Sequence, residues 1–289
     1  MRVFASPDTV AALTPLCRFD RLPDGRPRVP DDLLERISHA TIEQAWKTLA
    51  DHGYHHQFEG GWFQTHPGRT LVGRAVTAAF VPVRPDLDDV VVLASGRPAG
   101  DARQAVRGQN SWVIDSLLPG DVMVVDLFGK IRDGTMVGDN LATTLSRRTG
   151  AGAVINGGIR DYPGVAQIAP LAIFCRGVDP SAIAECTLVG VNTPVRIGGA
   201  TVLPGDVVLG TDAGVIFIPP QLAEDVAVRA EEVRLRDRFS KQRLAEGRYS
   251  ALMIDRAAWA PEIEEDFQRW RAEPAHAPSG RTGKGRADG

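Results

Sequence analysis

The sequence predicts a mixed α/β protein in which a strand-rich middle lies between helical segments. Runs of β-branched residues alternate with turn residues between positions 71 and 218. Two Pro-Gly-Asp-Val segments, at 119–122 and 204–207, each place a tight turn directly before an apolar run. Apolar residues recur at helical spacing before and after this middle region. These patterns indicate two β-units of similar build, accompanied by helices.

The first 69 residues divide into three predicted segments. Residues 1–30 contain several prolines and little periodicity, which predicts an extended arm. Residues 31–52 predict an amphipathic helix or helix pair, with Asp31 or Asp32 as its N-cap and Gly53 as its stop. Residues 54–69 contain three histidines among aromatic residues, namely His55, His56 and His66. Because no two of these have helical i, i+4 spacing, the pattern favours a surface loop over a metal site.

The central region, residues 31–250, is expected to form one α/β domain. Its predicted strands lie at 71–83, 90–93, 122–127, 153–156, 171–174, 207–209 and 215–218. Residues 138–150 predict a helix that is capped by Asp139 or Asn140 and ends at Gly150. A long charged helix is predicted at 221–246, followed by a helical extension at 251–273 and a disordered tail at 274–289.

Composition limits the classes of partner. The chain has 289 residues and a formal net charge of −3, without the clustered Lys and Arg that nucleic acid or an anionic membrane requires. No apolar run reaches the roughly 20 residues needed to cross a bilayer, and no leader pattern is present, so a cytoplasmic location is expected. Cys17, Cys175 and Cys186 lie far apart without zinc-ligand spacing, which predicts reduced structural thiols.

The stretch 138–161, GDNLATTLSRRTGAGAVINGGIRD, carries the strongest chemical pattern. Free N–H groups at a helix N-terminus can hold a carboxylate. The planar guanidinium of Arg160 can polarise a keto oxygen, and Asp161 offers a hard oxygen ligand for Mg²⁺ or Mn²⁺. Together these parts predict an α-keto acid site. Each part alone also fits a structural role as a helix cap, a glycine bend or a solvated turn.

The spacing from Asp139 through twenty residues to Arg160-Asp161 resembles the signature of the 4-hydroxy-4-methyl-2-oxoglutarate aldolase family. This RraA-like family also includes regulators of ribonuclease E activity. Further matching segments lie at 73–77, 119–122, 191–199 and 204–219, and the resemblance covers roughly residues 33–250. It implies a swivelling β/β/α fold and a homotrimer or homohexamer with active sites between subunits.

The resemblance also implies roles for individual residues. Asp161 is expected to bind the metal, Arg160 to hold the keto oxygen and stabilise the enolate, and Asp139 to order a water beside the metal. The substrate carboxylate is expected to meet the backbone amides of Gly138, Asp139, Asn140 and Leu141. A carboxylate from a neighbouring subunit's C-terminal helix is expected nearby, with Asp237 as first candidate and Glu232 as second.

The reaction implied by the resemblance is metal-dependent carbon–carbon cleavage of a small 2-oxo acid, of the class II pyruvate aldolase type. Oxaloacetate decarboxylation is expected to accompany it. The alternative is a non-catalytic protein-binding regulator of the ribonuclease E type. A methyltransferase is disfavoured because no glycine-rich dinucleotide-type loop follows a predicted strand. Gln44 stands where the family often has Asp, a departure that concerns substrate choice.

Overall fold

The computed structural model describes residues 2–95, 108–256 and 258–273. Its helices are α1 Pro7–Leu13, α2 Asp31–Ser38, α3 Ile42–Asp51, α4 Pro85–Ser95, α5 Gln109–Asp115, α6 Asp139–Thr149, α7 Tyr162–Val165, α8 Ala223–Ala245, α9 Ala251–Ile254 and α10 Pro261–Ala272. The predicted disordered tail at 274–289 lies outside the described residues. Contacts divide the chain into two compact units, Met1–Ala230 and Glu231–Gly289.

The first unit is built on a nine-stranded mixed sheet and a separate two-stranded sheet. Its strands are β1 Phe58–Glu59, β2 Phe63–Gln64, β3 Leu71–Pro82, β4 Asp121–Thr135, β5 Gly152–Ile159, β6 Ala172–Val178, β7 Cys186–Val191, β8 Val195–Ile197, β9 Ala200–Val202, β10 Val207–Thr211 and β11 Gly214–Ile218. The large sheet has the order β1-β11-β10-β3-β4-β5-β6-β2, and β7 also pairs with β3. The neighbours β3, β4, β5 and β6 run parallel.

Both faces of the large sheet are covered, as buried parallel strands require. One face packs against α4, α5 and α6 in an aliphatic core that includes Met123, Val125 and Ile155. The opposite face packs against the β8–β9 hairpin. The helices α2 and α3, with the first residues of α8, cover β10 and β11. No helix within the described ranges is long and apolar enough to span a membrane.

Helix α6 connects the parallel neighbours β4 and β5. It begins at Asp139 after Gly138, whose backbone is extended and provides no side-chain cap. The prediction that Asp139 or Asn140 caps this helix was therefore wrong, because Gly138 occupies the cap position. The predicted stop is confirmed, since Gly150 adopts the left-handed conformation that glycine accommodates without steric cost.

Some predicted boundaries in the first unit differ from the structure. Residues 90–93 form part of α4 and not a strand, because Pro85 and the acidic residues of the first turn favour a helix start over the β-branched run. Residues 31–52 form the helix pair α2 and α3, as one of the two alternatives predicted. Helix α2 begins at Asp31, so Pro30 holds the cap position predicted for Asp31 or Asp32. The sequence did not predict the strands β1, β2, β7, β8 and β9, of which β7 pairs antiparallel with β3.

The N-terminal segment packs against the sheet through a buried ion pair. Residues 2–30 contain the short helix α1, and Phe4 bridges to Val191 of β7. The Arg26 guanidinium donates to both carboxylate oxygens of Asp121, at 2.7 and 3.0 Å. Neither Arg26 nor Asp121 is exposed to solvent. This pair joins the N-terminal segment to the first Pro-Gly-Asp-Val turn.

The second unit contains the end of α8 together with α9 and α10. Aromatic rings form its small core, with Phe239 contacting Trp259, Phe267 and Trp270 at centroid distances of 5.4–5.7 Å. Arg243 forms a two-pronged ion pair with Asp266 at 2.8 and 3.1 Å. The predicted long charged helix at 221–246 is confirmed by α8.

The second Pro-Gly-Asp-Val turn contains the buried Asp206, which forms no ion pair with an arginine of the described residues, whereas its counterpart Asp121 binds Arg26. Burial raises the pKa of Asp206 to about 7, although the Leu203 N–H donates to its carboxylate at 2.8 Å and lowers it. The folded chain therefore binds this proton more tightly than the unfolded chain, whose ordinary aspartate pKa is 3.8. The contribution of Asp206 to stability is then most favourable below pH 4 and becomes less favourable as pH rises through 7.

We expect Asp206→Asn to remove most of this pH-dependent loss. Three pKa units correspond to roughly 4 kcal/mol. Because the substitution removes most of this loss, at pH 8 the variant should be more stable than the native chain by on the order of 3 kcal/mol. At pH 4 the gain should nearly vanish. Urea unfolding at both pH values measures the difference, with the exposed Asp32→Asn as control. Equal gains at pH 4 and pH 8 would contradict this explanation.

Candidate active site

The sheet topology brings the start of α6 beside the Arg160-Asp161 pair. Strands β4 and β5 are parallel neighbours, so the segments that follow their carboxyl ends lie at the same edge of the sheet. Gly138 and α6 follow β4, while Arg160 and Asp161 follow β5. In open α/β sheets, ligands bind in the crevice outside these carboxyl ends. The predicted site residues therefore meet for a topological reason.

Backbone hydrogen bonds join the two segments. The Met136 N–H donates to the Gly158 carbonyl at 2.9 Å, and the Arg160 N–H donates to the Val137 carbonyl at 3.0 Å. Gly138 then packs directly on the pair. A β-carbon at Gly138 would collide with Oδ2 of Asp161 and would lie 3.0 Å from Nε of Arg160. Glycine at this position thus allows both side chains to approach the start of α6.

Arg160 and Asp161 point towards each other in a half-exposed ion pair. Nε of Arg160 lies 3.4 Å from Oδ2 of Asp161, and the side chains are 44% and 47% exposed. Solvent can reach both groups, so a small ligand can also reach them. Asp161 has φ +54° and ψ +37°, the left-handed conformation that non-glycine residues adopt at a cost of about 1 kcal/mol. Such backbone strain is concentrated at functional sites.

The start of α6 is only partly available to a ligand. The first N–H groups of a helix lack intrahelical acceptors. One of them, the Asn140 N–H, donates to Oδ1 of Asp139 at 2.7 Å. The Asp139 carboxylate thus accepts the hydrogen bond of one of the backbone amides that were predicted to hold the substrate carboxylate. It also faces Gly164 of α7, where an added β-carbon would lie 3.3 Å from Oδ2 of Asp139.

The oxygen ligands at this site fit a water-rich divalent cation. Mg²⁺ commonly binds one or two carboxylates and retains several waters. Asp161 provides one accessible carboxylate, and Asp139 lies beside the helix that begins after Asp161. Within residues 2–95, 108–256 and 258–273, no group of three or more His, Cys, Asp or Glu side chains is placed to hold a metal. The accessible Asp161 carboxylate is a hard oxygen ligand of the kind that Mg²⁺ and Mn²⁺ bind.

The other predicted site residues are Leu141 on α6 and two carboxylates on α8. Leu141 is partly buried and packs against the core beneath α6. Asp237 and Glu232 are exposed residues of α8 in the second unit. Their assignment to a neighbouring subunit's site stays a prediction. The homotrimer or homohexamer likewise stays a prediction.

Within the described residues, the three histidines of segment 54–69 and the two buried cysteines belong to no group placed to hold a metal. His55 and His56 are exposed, and Nδ1 of His66 lies 2.9 Å from the Thr65 hydroxyl. Burial lowers the pKa of His66, and the charge of Arg69 lowers it further. Burial raises the pKa of both Cys175 and Cys186 to about 12, which leaves them as unreactive thiols at neutral pH.

Comparison with known proteins identifies the family. The sequence model of the RraA-like family, described as aldolase/RraA, matches residues 34–217. The chain belongs to the RraA-like family. The predicted α/β fold class is also confirmed. The solved structures that resemble this chain include RraA-family proteins, and the first unit is a mixed α/β structure with a large sheet.

Several RraA-like relatives carry aldolase names. A protein of Halalkalibacterium halodurans, provisionally named 4-hydroxy-4-methyl-2-oxoglutarate aldolase, is 31% identical over 155 residues, which is 51% of this chain and 71% of that protein. A 4-hydroxy-4-methyl-2-oxoglutarate aldolase of Thermus thermophilus is 29% identical over 100 residues, which is 35% of this chain and 60% of the relative.

Solved structures also resemble this chain, and one of them is named as a member of an inhibitor family. Streptomyces coelicolor RraAS2, described as an unusual member of the RNase ES inhibitor RraA protein family, has 27% identity and a TM-score of 0.62. The similarity covers 75% of this chain and 98% of RraAS2. An uncharacterised protein of Pseudomonas syringae pv. tomato has 25% identity and a TM-score of 0.62, covering 78% and 94%.

Two residues of the site region were missed by sequence reasoning. Tyr162 begins α7 directly after Asp161, and Gly164 provides the space beside the Asp139 side chain. The Tyr-Pro-Gly run reads as a turn, so neither residue carries a chemical signal in the sequence. The close approach of Gly164 to the Asp139 side chain becomes visible only in three dimensions.

Proposed function

We propose that this chain is a divalent-metal-dependent carbon–carbon lyase acting on 4-hydroxy-2-oxo acids such as 4-hydroxy-4-methyl-2-oxoglutarate, with oxaloacetate decarboxylase activity. The observation that supports it most is the convergence at Gly138. An arginine, an accessible carboxylate and the start of an 11-residue helix meet there, at the carboxyl ends of two parallel strands. The aldolase names of relatives agree with this proposal.

Substrate binding follows from the charges at this convergence. The carboxylate of a 2-oxo acid is attracted to the positive end of the α6 dipole and to its N–H groups. The Arg160 guanidinium donates to the keto oxygen, where negative charge develops during cleavage. Asp161 would hold the divalent cation, which would supply Lewis-acid stabilisation of the negative charge that develops during cleavage. The negative charge of Asp161 keeps Arg160 oriented towards the site.

Cleavage of the aldol substrate breaks the bond between C3 and C4. The C4 hydroxyl loses its proton to a base, and a new carbonyl forms at C4. The electron pair of the broken bond enters the keto group and leaves a pyruvate enolate, which Arg160 stabilises. A proton then adds to C3 and gives pyruvate. With oxaloacetate, the broken bond releases carbon dioxide and the same enolate forms without a base.

A pyruvate-release assay tests the proposal directly. We expect the purified full chain to release pyruvate from 4-hydroxy-4-methyl-2-oxoglutarate and from oxaloacetate when Mg²⁺ or Mn²⁺ is present. EDTA should abolish both reactions, and excess Mg²⁺ should restore them, because enolate stabilisation depends on the cation. Asp161→Asn should lower metal-dependent turnover by roughly 100-fold or more at fixed metal concentration.

The matched control for Asp161→Asn is the exposed Asp115→Asn on α5, which should retain full activity. Metal-independent pyruvate release above the rate of a protein-free control, or unchanged turnover in Asp161→Asn, would refute the proposal.

A protein-binding regulator is the second candidate, supported by the likeness to RraAS2 over 98% of its length. Regulation by docking needs no ion pair packed against a helix start. The accessible Arg160-Asp161 pair therefore favours the enzyme. Stable binding to a ribonuclease, together with no pyruvate release on either substrate, would reverse this order.

A further inference from the structure

The segment from Phe58 to His66 is held firmly against the sheet by a charged anchor. Nη2 of Arg176 on β6 donates to the Glu59 carboxylate at 2.6 Å, and the Gly199 N–H donates to the other carboxylate oxygen at 2.9 Å. The Arg176 guanidinium also lies 3.9 Å from the ring centroid of Trp62. The Trp62 indole donates back to the Glu59 carbonyl at 2.8 Å. This anchor fixes the residue directly before Phe63.

The residues that follow Phe63 are fixed as well. Strand β2 pairs with β6, so that Phe63 lies opposite Cys175. The Thr65 N–H donates to the Ile173 carbonyl at 3.0 Å, and the Ile173 N–H donates to the Thr65 hydroxyl at 3.0 Å. The backbone on both sides of Phe63 is therefore held by contacts that do not involve the Phe63 ring.

The Phe63 ring reaches the candidate active site through one neighbour. It packs edge-on against Tyr162, with ring centroids 5.1 Å apart and an interplanar angle of 76°. Tyr162 follows Asp161 immediately and begins α7. Tyr162 also packs against the buried core of the sheet. The Tyr162 ring is thus held between the core and Phe63.

Asp161 depends on such external contacts for its conformation. Its backbone is left-handed, which is unfavourable for aspartate relative to the right-handed form. The helix that follows has four residues, Tyr162–Val165, and a helix this short is not stable alone. The Asp161 carbonyl accepts from the Gly164 and Val165 N–H groups at 2.9 and 3.1 Å. These bonds persist only while α7 is held in place.

We propose that Phe63 is a positioning residue that holds Tyr162, and thereby fixes the Asp161 carboxylate for binding a divalent cation. This inference rests on the proposed function, because it assigns Asp161 to the metal. Phe63 touches neither the cation nor the substrate. Phe63 is 36% exposed, and Phe63→Leu retains an apolar side chain in the buried part of this position, so it should affect cation affinity more than stability.

The test is a Mn²⁺ titration of the full chain by calorimetry, without substrate. Phe63→Leu should weaken Mn²⁺ binding about 3- to 10-fold, the range expected for the loss of one edge-on aromatic pair. Its melting temperature should stay within a few degrees of the native chain. Phe63→Tyr, which retains the ring, should bind within about twofold of the native chain. The exposed aromatic control, Trp46→Leu on α3, should bind as the native chain does.

The outcomes separate the two proposals. Native binding that Asp161→Asn removes, together with unchanged binding in Phe63→Leu, would overturn the role of Phe63 and leave the lyase proposal intact. Equal weakening by Phe63→Leu and Trp46→Leu would also overturn it, because the effect would not be specific to the Tyr162 contact. A native chain that binds no Mn²⁺ would refute the metal assignment, and the role of Phe63 with it.

Discussion

Replacing Arg160 by alanine is expected to lower kcat for oxaloacetate decarboxylation by roughly 100- to 1,000-fold, with Mg²⁺ saturating. Losing one donor to a developing oxyanion costs about 3–4 kcal/mol of transition-state stabilisation. Arg160 is placed for this role because it lies beside the start of α6 and 3.4 Å from the Asp161 carboxylate. Steady-state kinetics with pyruvate detection measures the loss.

The controls for this prediction distinguish catalysis from folding. The Arg160 side chain is 44% exposed, so its removal should leave the melting temperature within a few degrees. Arg147→Ala removes an exposed arginine from the last turn of α6, and it should retain near-native kcat. Arg160→Lys should remain strongly impaired, because an ammonium group lacks the planar fork. Near-native turnover in Arg160→Ala would show that another group stabilises the enolate.

The grouping of the candidate site could be predicted because it lies in one short stretch of chain. Residues 138–161 contain a helix and the strand that follows it, and a helical crossover between parallel neighbours places the carboxyl ends of the two strands side by side. The juxtaposition of Gly138 with Arg160 and Asp161 then follows from local sequence. The occupation of the Asn140 amide by Asp139 did not follow, because it depends on a side-chain rotamer.

Contacts between distant segments could not be predicted from the sequence. The strand wrongly predicted at 90–93 shows one reason. A run such as Val90–Val92 has the composition of a strand, but its tertiary surroundings decide whether it forms a strand or a helix. The T-shaped contact of Phe63 with Tyr162 joins two segments far apart along the chain, and neither residue carries a functional pattern. The same holds for Arg26 and Asp121, which belong to segments separated by 95 residues.

The second prediction of large effect concerns this buried ion pair. Arg26→Met is expected to lower the free energy of unfolding by about 3–5 kcal/mol, because it leaves the Asp121 charge buried without its partner. The Leu118 N–H, which donates to Asp121 at 2.8 Å, compensates only one carboxylate oxygen. Urea unfolding followed by circular dichroism measures the loss, with the exposed Arg28→Met as the matched control.

A double variant separates the charge effect from the loss of packing. Asp121→Asn in the Arg26→Met background removes the uncompensated charge and retains an oxygen that can accept from Leu118. We expect it to recover more than half of the lost stability, because removing both charges of a buried pair is far less costly than removing one. If the double variant were as unstable as Arg26→Met alone, the N-terminal segment would be held by the packing of the Arg26 side chain and not by charge. The pair thus attaches the N-terminal segment, which precedes the region matched by the family model, to β4. The other end of β4 leads into the candidate active site.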